Sequence, residues 1–147
     1  IYPQAACMEL RGNVTTRIQK LRDGLYDAII LAAAGIERLG IEKEPDLVYE
    51  YLDVDAMLPA AGQGIIAIEA CEGTLPYRMA HTISDAETEG CLCAERAVVR
   101  EMEAGCHEPI GVYATWKNEK KLCVRVMNAR SGSIERETFE REIKDVK

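Results

Sequence analysis

The sequence predicts an α/β segment followed by a small α+β unit, and three observations predict it. Residues 5–40 alternate apolar strand-like runs with stretches of helical spacing, the order of an α/β layer. Ser84-Asp85-Ala86-Glu87 reads as a capping box that opens one long amphipathic stretch. Three further strand-like runs then follow, separated by turn residues, which is the order of an antiparallel meander.

Taken in order, residues 5–10 read as a short strand ending at Arg11-Gly12. Asn13 is a good N-cap, and Val14, Ile18, Leu21 and Leu25 recur at helical spacing, with Asp23-Gly24 closing the helix. Asp27-Ala28-Ile29-Ile30-Leu31-Ala32 is a continuous apolar run after an acidic start, as expected of a parallel strand buried on both faces. Ala33 to Leu39 forms a short helix stopped by Gly40. A two-stranded parallel sheet is too small to stand alone, so its other strands are expected upstream, in keeping with a start that lacks Met. Residues 42–57 are acidic and irregular. Leu58-Pro59-Ala60-Ala61-Gly62-Gln63-Gly64 then leads into an apolar strand over 65–70.

The capping box at Ser84 starts a helix expected to run to about Ala104, with Cys91, Ala94, Val98 and Met102 as its apolar stripe and Gly105 as the residue that ends it. Gly90 weakens that helix by about 1 kcal/mol relative to Ala. Strands are expected at 110–116, 122–128 and 137–143, with turns at Asn118-Glu119 and Ser131-Gly132.

Composition narrows the function classes. The chain has 147 residues, 48% hydrophobic and 29% charged, with a net charge of -7. That balance is globular and argues against general nucleic-acid binding. No apolar run approaches the roughly 18 residues of a membrane span, and the first residues do not form a signal peptide. Cys7, Cys71 and Cys123 lie in apolar surroundings and read as small core residues. None of the six cysteines forms a C-x-x-C pair, so a zinc site is not expected, and reduced thiols in a cytoplasmic protein fit best.

Three places are suited to chemistry. Arg11-Gly12-Asn13-Val14-Thr15-Thr16-Arg17 joins a strand end to a helix start, where free N–H groups and the helix dipole favour an anion. Arginines there are unfavourable unless something negative binds, and guanidinium suits carboxylates. The alternative is a solvated helix face. Ala32-Ala33-Ala34-Gly35-Ile36-Glu37-Arg38 lies at the C-terminal end of the expected parallel strand, where open α/β sheets bind ligands. Close packing of a short helix explains the same small residues. Cys106 is the one cysteine on a glycine-bracketed turn between two rigid elements, and a thiol so placed can act as a nucleophile. His107 beside it either lowers the thiol pKa or is merely exposed.

Together these residues resemble the porphobilinogen deaminase (hydroxymethylbilane synthase) family. The resemblance rests on five blocks in one order over about residues 11–114. They are Arg11-Gly12-Asn13-Val14-x-Thr16-Arg17, Tyr26-Asp27-Ala28-Ile29-Ile30-Leu31-Ala32-x-Ala34-Gly35-x-x-Arg38-Leu39-Gly40, Leu58-Pro59-Ala60-x-Gly62-Gln63-Gly64, Ala94-Glu95-Arg96-Ala97 and Gly105-Cys106-x-x-Pro109-Ile110-Gly111. The chain departs from the family at Ala104 and His107, where members often have Gly and Gln.

The resemblance implies a C-terminal portion of a three-domain enzyme. Residues 1–57 would be the back half of a periplasmic-binding-protein-like α/β domain two, 58–80 a segment returning to domain one, and 81–147 an α+β domain three. It implies tetrapyrrole (haem) biosynthesis in the cytoplasm, by deamination and head-to-tail joining of four porphobilinogen molecules into hydroxymethylbilane. Cys106 matches the cysteine that holds a dipyrromethane cofactor through a thioether. Arg11, Arg17 and Arg38 match arginines that bind carboxylates of the cofactor and the oligopyrrole chain. Gly12, Ala33, Gly35, Gln63 and Gly64 would pack near the cofactor. No position matches the family's catalytic aspartate, so the chain alone is expected to be inactive. No metal, nucleic acid or membrane is implied. A full-length member is expected to be monomeric, whereas the α/β piece alone is expected to be poorly ordered or self-associating. The competing reading is a non-catalytic module that binds anionic small molecules on the same scaffold.

Overall fold

The computed structural model describes residues 2–41, 44–105 and 107–142. The chain divides into two compact units, Ile1–Leu52 and Asp53–Lys147.

In the first unit, Asn13 starts α1 (Val14–Arg22) as expected, its Oδ1 accepting the Thr16 N–H at 2.8 Å. The helix ends at Asp23 as expected, but Leu25, read as part of its apolar spacing, lies beyond it and is 61% exposed. α2 (Ala33–Leu39) follows, ended by Gly40 at φ 66°. Ile18, Ile36 and Ile41 form the core, with Val14, Ile29, Leu31, Leu47 and Tyr49 against it. Arg22 holds the far side by pairing with Asp46 at 2.7 Å and with Glu44. Its hydrogen bonds keep the Asp46 carboxyl below the usual carboxylate range.

The expected strands over 5–10 and 27–32 are extended but unpaired among the described residues. A strand is defined by a neighbour, and neither run bonds to the other. The Glu9 carbonyl instead accepts the Tyr26 hydroxyl at 2.8 Å. The second run is buried on one face only: Ile29 and Leu31 turn inward while Ile30 is 59% exposed. The apolar run at 65–70 likewise forms no strand, and Ile66 and Ile68 are exposed. Cys7 and Cys71 belong to these unpaired stretches and are exposed, not core residues, whereas Cys123 is buried.

The second unit contains a helix that the sequence reading missed, α3 (Leu75–Thr82), capped by Thr74 with Pro76 in its first turn. His81 sits edge-on to Tyr77 there, ring centroids 4.9 Å apart. α4 (Ala86–Glu101) is capped by Asp85 and not by Ser84. The Asp85 carboxylate accepts the Thr88 N–H at 2.6 Å, a charged acceptor at the positive end of the helix. Those backbone N–H groups hold its pKa down.

β1 (Ile110–Asn118), β2 (Lys121–Asn128) and β3 (Glu135–Glu142) form the expected antiparallel meander, with Val112 opposite Val126 and Val124 opposite Phe139. Residue 143, expected at the end of the third strand, lies outside the described residues. α4 packs on β1 and β2, enclosing Val112, Ala114, Val124 and Val126 against Cys91, Ala94, Val98 and Met102. β3 is exposed throughout. The α4 glycine has a packing reason: a Cβ on Gly90 would lie 2.6 Å from Cζ2 of Trp116, whose indole N–H donates to the Glu87 carbonyl at 2.9 Å. Among the described residues, no helix is long and apolar enough to cross a membrane.

The end of α4 corrects another expectation. Met102, not Ala104, closes the helix, and Glu103 takes the left-handed position expected of Gly105, at φ 51°. The Glu103 N–H reaches the Arg100 carbonyl at 3.0 Å and the Ala104 N–H reaches Val99 at 3.0 Å, the paired bonds of a Schellman cap. A non-glycine residue there costs about 1 kcal/mol. Glu103→Gly is therefore expected to stabilise the second unit by about 1 kcal/mol, read as a higher urea midpoint. An unchanged or lower midpoint would count against this cap geometry.

Candidate functional site

In the first unit two of the predicted cations, Arg11 and Arg17, lie about the start of α1. Gly12 lies at φ 123°, and a Cβ there would come within 3.0 Å of Thr16 Cγ2, so only glycine makes this turn without strain. Arg17 Nε donates to the Gly12 carbonyl at 2.7 Å. Lys20 Nζ donates to the Arg11 carbonyl at 3.0 Å. These bonds fold two basic side chains back over the turn. Arg11 itself is 83% exposed and pairs with Glu9 at 3.0 Å. An exposed pair of this kind is worth little and exchanges readily for a stronger anion. Ala33 and Gly35 stand in the first turn of α2, and Arg38 in its last turn. The shared Ile18–Ile36 core holds the two helices together. Arg11, Gly12, Arg17, Ala33, Gly35 and Arg38 therefore belong to one unit.

Gln63 and Gly64 belong to the second unit, at the end of a strap over residues 55–62. Arg125 pairs with Asp55 at 3.1 Å, and Arg136 donates to the carbonyls of Asp55 and Ala56. The Val112 N–H donates to the Pro59 carbonyl at 2.9 Å, so the strap starts against β2 and β3 and reaches the outer edge of β1 at Pro59. Gly111 is closed over by Leu58, whose carbonyl oxygen lies 2.9 Å from where a Cβ would be.

Glu95 fixes the end of this strap, and sequence reasoning gave it no role. Its carboxylate is buried, at 4% exposure. Oε2 accepts the Gly62 N–H at 2.7 Å and Oε1 accepts the Ala114 N–H at 2.9 Å. One side chain of α4 thus joins the strap to β1. The available signal was an acidic residue within the apolar stripe, four residues after Cys91 and three before Val98.

Cys106 lies outside the described residues; its flanks do not. The chain passes from the cap at Glu103 to Pro109, with the Glu108 N–H donating to the Gly105 carbonyl at 3.2 Å. His107 is exposed. Among the other cysteines, Cys91 is unsuited to act as a thiolate, because burial, with Glu95 and Glu87 nearby, pushes its pKa up.

Comparison with known proteins gives two family matches along the chain. Residues 1–78 match the family model "Porphobilinogen deaminase, dipyromethane cofactor binding domain", and residues 90–146 match "Porphobilinogen deaminase, C-terminal domain". Porphobilinogen deaminase of Roseiflexus castenholzii is 39% identical over 137 residues, covering 92% of this chain and 44% of that protein. That of Acidithiobacillus ferrooxidans is 43% identical over 122 residues, 82% of this chain and 39% of that protein. A probable porphobilinogen deaminase of Methanocella arvoryzae is 46% identical over 114 residues, 78% and 36% of the two chains. The chain thus spans about two fifths of the length of the curated relatives it matches.

Proposed function

The chain belongs to the porphobilinogen deaminase family, and from that premise we propose that it supplies the cofactor anchor and part of the carboxylate clamp of a hydroxymethylbilane synthase. The activity is a transferase step of tetrapyrrole (haem) biosynthesis in the cytoplasm. Four porphobilinogen molecules are deaminated and joined into hydroxymethylbilane. The observation that carries this reading is the match of both family models, in chain order.

Cys106 is the residue that would hold the dipyrromethane. A thiolate is a suitable nucleophile toward a pyrrole methylene, and the resulting thioether is stable. When bound, the cofactor supplies the free pyrrole carbon on which the chain grows. Every pyrrole unit carries acetate and propionate groups. Arg11, Arg17 and Arg38 would receive them as guanidinium–carboxylate pairs. The basic groups folded over the Gly12 turn, at the positive end of α1, have the chemistry that such a load needs. The backbone at Gly12, Ala33, Gly35, Gln63 and Gly64 would pack near the cofactor. In this reading residues 1–57 are the back half of a periplasmic-binding-protein-like domain, 58–80 a returning segment and 81–147 the small cofactor-bearing domain. In this reading a full-length member would act as a monomer.

Intact-protein mass spectrometry of the chain purified from cells tests the anchor. The expected result is an added dipyrromethane mass, lost completely in Cys106→Ser. An unmodified wild-type chain would favour the non-catalytic anion-binding module. No position matches the family's catalytic aspartate, so the 147 residues by themselves are expected to give no turnover of porphobilinogen.

A further inference from the structure

α4 packs on β1 and β2 and leaves β3 exposed throughout, and a cleft of about 280 Å³ opens between the end of the helix and that strand. Cross-strand partners share a face of the sheet, so Phe139 stands beside Val124 and Glu137 beside Val126, on the side of the core. Met102, Val126 and Phe139 make an apolar floor, and Phe139 is still 41% exposed. Glu101, Glu135 and Glu137 stand around it, and among the described residues no Lys or Arg lines the cleft. Their three carboxylates make no ion pair or hydrogen bond among the described residues. The cations nearest in sequence are engaged elsewhere: Arg130 with Glu108, Arg125 and Arg136 with the strap, Lys117 and Lys121 with Glu140. An apolar floor inside a ring of like charges favours an occupant that brings the opposite charge. Two copies meeting through this cleft would set its carboxylates against one another, in a chain of net charge -7.

We infer that this cleft docks a short cationic segment of a partner protein, with one apolar side chain on the floor and Lys or Arg against the glutamates. At this size the cleft falls just below the roughly 300 Å³ at which small-molecule pockets begin, so it takes side chains and not a whole helix. None of its lining residues lies in the five blocks of the resemblance, and the inference does not depend on the cofactor reading.

An NMR titration of the whole chain with the peptide acetyl-Lys-Leu-Lys amide tests the docking. Amide shifts are expected at Met102, Val126 and Phe139. Acetyl-Glu-Leu-Glu amide should leave those three residues unmoved. Acetyl-Lys-Ala-Lys amide should bind more weakly, since it brings less apolar surface to the floor. Glu101→Gln and Glu137→Gln are each expected to raise the peptide Kd about two- to fivefold, the range of an exposed ion pair. Both side chains are exposed, so neither change should unfold the unit. Added salt should weaken binding as well. Absent shifts, or equal shifts with the glutamate peptide, overturn the inference. So does an unchanged Kd when both glutamates are replaced together. Shifts at the three residues that follow chain concentration without peptide would assign the cleft to a second copy. Shifts there on removal of residues 143–147 would assign it to the chain's own end. Either of these results also overturns the inference.

Discussion

Replacing Glu95 by Ala is expected to lower the stability of the second unit by about 2–4 kcal/mol. The substitution removes the acceptor of two backbone N–H groups, those of Gly62 and Ala114, in a place only 4% exposed. A buried donor left without a partner costs about 1–3 kcal/mol, and some water entry offsets part of the sum. Glu95→Gln separates shape from chemistry. The amide keeps one acceptor oxygen but turns its own N–H toward the other backbone donor, so about half of the loss is expected. Urea unfolding followed by fluorescence of Trp116, the one tryptophan, reads both variants. Equal midpoints for wild type and Glu95→Ala would show that the carboxylate does not bridge the strap to β1.

Gly111→Ala is the second large effect, expected to cost about 1–3 kcal/mol by overpacking. The added methyl would meet the Leu58 carbonyl oxygen at 2.9 Å and Leu58 Cβ at 3.1 Å. Backbone cannot rotate away as a side-chain tip can, so the strap must lift. Lifting it also breaks the Val112-to-Pro59 bond. Faster amide exchange at Val112 should therefore accompany the lower urea midpoint. Gly105→Ala is the control: none of the described residues lies within 4 Å of its Cβ position, and the change should be nearly neutral. Slow exchange at Val112 in Gly111→Ala would mean that the strap does not depend on this close approach.

The sequence was most legible where pattern and contact agree. The meander is one such place, because alternating residues such as Val112, Ala114, Val124 and Val126 meet a single helix and need no other partner. The cap at Asn13 and the stop at Gly40 were legible because their chemistry is local. The runs at 5–10, 27–32 and 65–70 were misread, since apolar composition says that a segment is buried but not which neighbour completes a ladder. α3 was missed because it buries no residue and so has little periodic signal beyond Thr74 and Pro76. At the helix end, Gly105 attracted the cap assignment, although Glu103 adopts the left-handed position. Of the site, the basic turn at Gly12 was readable from strand–glycine–helix order. Glu95 was not readable, because its partners are backbone groups distant in sequence.

The two borders of the meander are protected in different ways. An open sheet border is a template on which a second chain can add a strand. On β1 that template is occupied, because the Pro59 carbonyl already takes the Val112 N–H. On β3 no described residue pairs with the outer edge, but Glu135-Arg136-Glu137-Thr138-Phe139-Glu140-Arg141-Glu142 carries a charge at six of its eight positions. A foreign strand docking there would have to desolvate those groups and match alternating signs. The β3 border thus resists recruitment by charge, whereas the β1 border is covered by the strap at Val112 and by Glu95 at Ala114. Loosening the strap would consequently expose this chain to strand-mediated aggregation from the β1 side first.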